Sequence, residues 1–170
     1  MTLSVIVLAL VTLQRGLELV LARRNTARLK AQGAVEVGAA HYPLIVALHA
    51  AWLVGLWLLA WNQPVNLGWL GLFVVLQAAR VWVIGSLGGR WTTRIIILPG
   101  APLVRRGPYR FLNHPNYVVV ASEILVLPLA FGLLIFGLVF SVLNAGVLFI
   151  RIRTEQIALA DGQDAVTSSP

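Results

Sequence analysis

The chain has 170 residues, 59% of them hydrophobic and 11% charged, with a mean hydropathy of +0.86. A soluble domain carries about a quarter charged residues, so this composition excludes an ordinary soluble fold and points to an integral membrane protein. Cysteine is absent and the three histidines are scattered, which leaves no thiol chemistry and no metal centre to expect; the formal charge of +7 reads as membrane topology rather than nucleic-acid binding, because the arginines flank apolar runs.

A membrane-spanning helix needs about 20 apolar residues. Residues 3–22 form the first such run, and Arg15 and Glu18 inside it lie on one helix face. No basic n-region or small-residue cleavage site precedes Arg15, so the run is expected to be a retained span and not a signal peptide. Arg23, Arg24, Arg28 and Lys30 follow, in a polar segment reaching to His41 with Glu36 as its acid. Residues 43–61 are the second span, residues 62–66 an uncharged turn, and residues 67–87 the third span, with Arg80 inside it. The six tryptophans fall mostly near predicted span ends, as aromatic belts require.

Residues 98–117 interrupt the apolar chain. Pro99, Pro102, Pro108 and Pro115, with Gly100 and Gly107 between them, make the backbone turn repeatedly instead of running as helix. Arginines, tyrosines and His114 crowd the same stretch, so chemistry is expected there. Residues 118–150 are then apolar throughout. As one helix they would run about 50 Å, too long for a core of about 30 Å. Pro128 and Gly132 near the middle predict a helical hairpin, with a short fourth span ending near Ala130 and a fifth beginning at Leu133. Residues 1–160 are thus expected to form one membrane domain, and residues 161–170 a frayed, flexible tail.

Of the 13 basic residues, all but Arg15 and Arg80 lie in the first loop, the third loop or the C-terminal segment. Five spans put these three regions on one side. The positive-inside rule then predicts an outside N-terminus and a cytoplasmic C-terminus. The expected architecture is an all-α, five-helix membrane protein whose last two helices form a hairpin. The polar stretch, Glu123 in the fourth span, and Arg151 with Glu155 on one face of the last helix converge on the cytoplasmic face.

These residues carry a resemblance. Residues 98–104, Gly107-Pro108-Tyr109-Arg110, Asn113-His114-Pro115-Asn116-Tyr117, Glu123, Pro128 and residues 151–155 recur in order and spacing in the isoprenylcysteine carboxyl methyltransferase family, and the chain resembles its short bacterial branch over about residues 70–160. The resemblance implies a membrane methyltransferase using S-adenosyl-L-methionine. The cofactor pocket would fall on Ala101, Pro102, Leu103 and Val104, on Tyr109, on His114, Pro115, Asn116 and Tyr117, and on Glu155, with Arg94 as a further contact. Arg151 would fall on the substrate-side arginine, and Glu123 is the other candidate catalytic residue. Two positions depart from the family pattern: Asn113 stands where many relatives have Arg, and Gln156 where many have a second acid.

Chemistry makes these roles reasonable. A carboxylate such as Glu155 pairs with the cationic end of the cofactor. Backbone groups near Leu103 and Val104, kept out of helix by proline, suit an adenine edge, and the aromatic rings suit stacking. A carboxylate acceptor is already ionised and needs no base, whereas a hydroxyl acceptor would need His114 or Glu123. Glu123 has an alternative role as a partner of Arg80 or Arg15 inside the bundle. The acceptor implied is a lipophilic small molecule or lipidated substrate reached from membrane lipid. Methylation of a lipidic hydroxyl or a phospholipid amine, a sterol-type reductase sharing the His114–Tyr117 motif, and a membrane scaffold or transport protein are the competing readings.

Overall fold

The computed structural model describes residues 2–167, with side chains through Ile157. Five α-helices run in chain order: α1 Leu3–Ala31, α2 Tyr42–Ala60, α3 Leu67–Leu87, α4 Pro115–Ala130 and α5 Leu134–Thr167. Among the described residues, four helices, α1, α2, α3 and α5, are long and apolar enough to cross a membrane. With its exposed leucines and valines along these helices, the chain is an integral membrane protein. The fourth apolar helix, α4, has 16 residues, about 24 Å of helix. That is shorter than a full crossing.

Two features differ from expectation. The first helix does not stop at residue 22 but continues to Ala31, carrying Arg23, Arg24, Arg28 and Lys30 on helix. Arg, Lys, Ala and Leu are all strong helix formers, so loss of hydropathy ends the apolar run without ending the helix. The fold is also not purely helical. Val35–Val37 (β1) and Ile95–Ile97 (β2) pair antiparallel, with Val35 opposite Ile97 and Val37 opposite Ile95. This ribbon ties the α1–α2 connection to the stretch that leads into the polar segment. The tail expected over residues 161–170 overlaps the end of α5, whose backbone is helical to Thr167; its side chains lie outside the described residues.

Proline at 128 removes one helical donor near the end of α4, and the chain turns at Phe131 into α5. The two helices cross closely because residue 137 has no side chain: a Cβ there would lie 3.2 Å from Pro128 Cβ and 3.3 Å from the Leu125 carbonyl oxygen. Asn66 caps α3 by accepting from the N–H groups of Gly68 and Trp69 at 3.0 and 3.2 Å. Its own N–H donates to the Ala130 carbonyl at 2.8 Å, holding the α2–α3 turn against the end of α4.

The apolar core gathers at this end of the bundle. Leu8, Leu56, Ala60 and Leu127 are fully buried, with Trp52, Phe73 and Phe131 around them. Here α1 and α2 are also pinned by hydrogen bonds. The Thr2 and Ser4 hydroxyls donate to the Trp61 carbonyl at 3.1 and 2.9 Å, and Trp57 Nε1 donates to Thr12 Oγ1 at 2.9 Å. Towards the opposite end the facing sides of α1 and α2 line a cavity instead of a packed seam.

Candidate functional site

The segment after α3 is fixed at several points. Asn25 of α1, itself buried, donates from Nδ2 to the carbonyls of Gly88 and Trp91 at 3.2 and 2.8 Å. Arg106 Nε donates to the Ser86 carbonyl at 2.7 Å. Gly107 has φ +57°, and a Cβ there would fall 2.1 Å from Ser86 Oγ, so both conformation and space demand glycine. Arg90 Nη1 donates to the Pro102 carbonyl at 2.6 Å, which positions residues 101–104. Among the described residues, neither Leu103 nor Val104 donates a backbone hydrogen bond to another backbone group. The following 3-10 turn, Gly107–Arg110, carries Tyr109, whose hydroxyl is occluded without a partner among the described residues. Burial, and then the Glu155 carboxylate and Tyr117, raise the Tyr109 pKa above the ordinary phenol value, so it stays protonated.

Pro115 opens α4, where its fixed φ suits the first turn and its missing N–H costs nothing. His114 and Tyr117 stack with ring centroids 5.2 Å apart and planes 9° from parallel. Tyr117 Oη donates to Glu155 Oε2 at 3.0 Å, and His114 Nδ1 lies 3.7 Å from the same oxygen. On the same face of α5, Arg151 is 4% exposed. Its Nη2 donates to the Thr93 carbonyl at 3.0 Å, and its Cζ lies 5.8 Å from the Tyr117 ring centre. Among the described residues no carboxylate forms an ion pair with it.

Thr93 Oγ1 also meets Tyr42 Oη at 3.1 Å, and the Arg94 guanidinium sits 4.1 Å over the Tyr42 ring while pairing with Glu36. Glu36 accepts from Lys30 as well, at 2.5 Å; Lys30 first and Arg94 second hold its carboxyl below the ordinary range. That pairing in turn raises the Arg94 pKa. The ribbon therefore brings a cation to the edge of the site.

Tyr42, Thr93, Tyr109, Arg151 and Glu155 border one cavity of about 1190 Å³. Its wall takes in Ala101, Pro102, Leu103 and Val104 on one side, with Arg94 and Tyr109 nearby. His114, Asn116 and Tyr117 of the α4 start and Arg151 and Glu155 of α5 complete it. Of the sequence-predicted site residues, only Pro115 and Glu123 are off the wall. Pro115 shapes the helix start. Glu123 is fully buried within the bundle, accepting from Arg15 Nη2 and Arg80 Nη1 at 2.8 Å each and from Gln77 Nε2 at 2.9 Å. Its alternative role as a partner of Arg15 and Arg80 is the one the geometry displays. Glu18 completes this cluster, taking Arg80 Nε and Nη2 at 2.5 and 2.6 Å and Arg15 Nη1 at 3.1 Å.

Tyr42, Thr93 and His49 line the same cavity and were not foreseen. Tyr42 had one signal, an aromatic hydroxyl next to Pro43 at a helix start. Thr93 had none, since it acts through a backbone carbonyl.

A proline-bent segment, a stacked His–Tyr pair and an Arg/Glu helix face thus border one cavity. Residues 69–161 match the model of the isoprenylcysteine carboxyl methyltransferase (ICMT) family, and the chain belongs to that family. It is 39% identical over 161 residues to a Bacillus subtilis (strain 168) protein named Uncharacterized protein YpbQ, covering 92% of this chain and 96% of that one. A Haemophilus influenzae protein named Uncharacterized protein is 26% identical over 144 residues, 81% of this chain and 83% of its own length. No solved structure matches the chain.

Proposed function

We propose that the protein is an S-adenosyl-L-methionine-dependent methyltransferase that converts a lipid carboxylate, of the prenylcysteine kind or another, to its methyl ester. The observation that carries this reading is Arg151. A guanidinium buried to this degree without a carboxylate partner is costly, and an anionic ligand in the cavity offsets that cost. Its planar fork suits a carboxylate, with Tyr117 and the Thr93 carbonyl holding its orientation.

The residues present fit the cofactor. Among the described residues, Tyr109 Oη and Asn116 Oδ1 are occluded polar atoms without partners, and the N–H groups of Leu103 and Val104 are without backbone acceptors. Glu155 offers a carboxylate to the cationic end, oriented by Tyr117 Oη. The His114–Tyr117 stack supplies an aromatic face, and Arg94 with Tyr42 closes the other edge. When bound, the cofactor supplies an electrophilic methyl on a sulfonium. The chain's own contribution is alignment of the acceptor by Arg151 and exclusion of water by the apolar wall, since an ionised carboxylate needs no base. Glu123, saturated by Arg15, Arg80 and Gln77, is assigned no part in proton transfer.

Val46, Ala50 and Leu53 of α2, Val120 of α4 and Leu148 of α5 make the apolar part of the cavity wall. The acceptor is taken to reach it sideways from the bilayer. With α4 counted as a short fifth crossing, the N-terminus lies outside and the site at the cytoplasmic face.

The test is incubation of membranes containing the protein with methyl-labelled cofactor and a lipid extract. A labelled, base-labile methyl ester is expected; no transfer to any lipid would overturn the reading. Glu155→Ala and His114→Ala are expected to lose cofactor affinity by calorimetric titration in detergent while remaining folded, and unchanged affinity would remove both from the pocket.

A further inference from the structure

The cavity has a second polar level that cofactor binding and methyl transfer leave unused. Arg15 and Glu18 of α1, His49 of α2 and Arg80 of α3 all line its inner end. His49 is seven residues beyond Tyr42, and Glu123 six beyond Tyr117, so this level lies about 10 Å deeper along the helices than the Arg151 level. Tyr42 and Arg151 are tied to each other through Thr93, which fixes the starting point of that measure.

The two levels differ in charge. At the inner level two guanidinium groups face two carboxylates, Arg15 and Arg80 against Glu18 and Glu123, and the charges cancel. An anion gains little there, unlike at Arg151. His49 is the one member of this level without a charged partner. Its Nδ1 is 2.8 Å from the Ile45 carbonyl, which accepts only, so Nδ1 carries the proton and Nε2 of the neutral ring keeps its lone pair. Among the described residues Nε2 has no hydrogen-bond partner, it is not occluded, and His49 lines the cavity. A hydrocarbon chain laid against this acceptor would strip it of water without return, whereas a hydroxyl would satisfy it.

We infer that the inner end of the cavity is a selectivity site for an uncharged hydroxyl carried part-way along the lipophilic acceptor, donated to His49 Nε2. The inference deepens the function proposed above and rests on it for calling the ligand an acceptor. The substrate class it names is a hydroxylated lipid carboxylate, with its carboxylate at Arg151 and its hydroxyl about 10 Å further into the bundle.

The probes are 10-hydroxystearate, 2-hydroxystearate and stearate, measured by equilibrium binding to the purified protein in nanodiscs with no methyl donor present. The mid-chain hydroxyl is expected to tighten binding about tenfold over stearate, in keeping with one buried hydrogen bond to an otherwise dry acceptor. The 2-hydroxy isomer should bind like stearate. His49→Phe, which removes the acceptor that stearate leaves dry, should abolish the tenfold preference by tightening stearate, and His49→Gln, which keeps an acceptor oxygen, should retain part of it. Equal affinity for all three lipids, as when ordered water alone occupies the inner end, overturns the inference. So does a preference that survives in His49→Phe. Should His49→Phe fail to fold, the positional isomers decide the matter in the parent protein. Failure of cofactor binding, read separately by thermal shift with S-adenosyl-L-methionine, would remove the methyltransferase reading and leave this binding result standing.

Discussion

Replacing Glu123 by alanine tests whether this carboxylate is a structural ion partner or a catalytic group. The side chain is 1% exposed and takes three hydrogen bonds, two of them from guanidinium groups at 2.8 Å. Without it Arg15 and Arg80 share Glu18 alone, and one positive charge inside the bundle is uncompensated. Breaking a buried pair from one side costs about 3–5 kcal/mol. For a chain of this size each kcal/mol lowers the melting midpoint by roughly 2–4 °C, so a fall of about 6–20 °C is expected. The assay is a thermal scan of purified protein in detergent, run beside cofactor titration. Removing both sides together, in Glu123→Leu with Arg80→Met, leaves Arg15 and Glu18 as a balanced pair. The double variant should therefore melt well above Glu123→Ala. A Glu123→Ala protein that melts within about 2 °C of the parent but has lost methyl transfer would refute this reasoning and return Glu123 to the chemistry.

Two further substitutions probe the edge of the site. Glu36→Gln removes the carboxylate clamped by Lys30 and Arg94. Because the folded-state carboxyl titrates below its unfolded value, its stabilising contribution is present above the usual carboxylate pKa and is lost as pH falls through the lowered one. The gap in melting midpoint between parent and Glu36→Gln should thus be widest near neutrality and close in acid; a gap independent of pH would deny the linkage. Gly107→Ala forces a left-handed φ and a 2.1 Å contact with Ser86 Oγ. It should cost about 1–3 kcal/mol and weaken cofactor affinity, and an unperturbed titration would show that the Gly107–Arg110 turn is not fixed by this contact.

The apolar runs made the helices legible, and Pro128 with Gly132 marked the break between α4 and α5. The proline-rich stretch and the Arg151–Glu155 face were legible too, because residues suited to polar chemistry are scarce in this composition and stand out wherever they cluster. The β1–β2 ribbon was not legible. Three-residue strands have no periodicity of their own, and Glu36 meets its partners Ile96 and Arg94 only across about sixty residues of chain. The nine-residue continuation of α1 escaped because hydropathy marks where lipid contact ends, not where helix ends. His49 escaped for a third reason. A single histidine in an apolar helix says nothing until the neighbouring helices leave a cavity beside it.

The hydrogen bonds that fasten Thr2, Ser4 and Thr12 to Trp61 and Trp57 all sit at one extremity of α1 and α2. The pair is built like tongs, riveted where the buried leucines are and parted where the cavity lies. The buried apolar cluster lies at the rivet. Residues on the inner surfaces of the parted arms, such as Leu19, Val46 and Ala50, border the cavity and not the core, so their bulk sets its girth without disturbing the buried leucines.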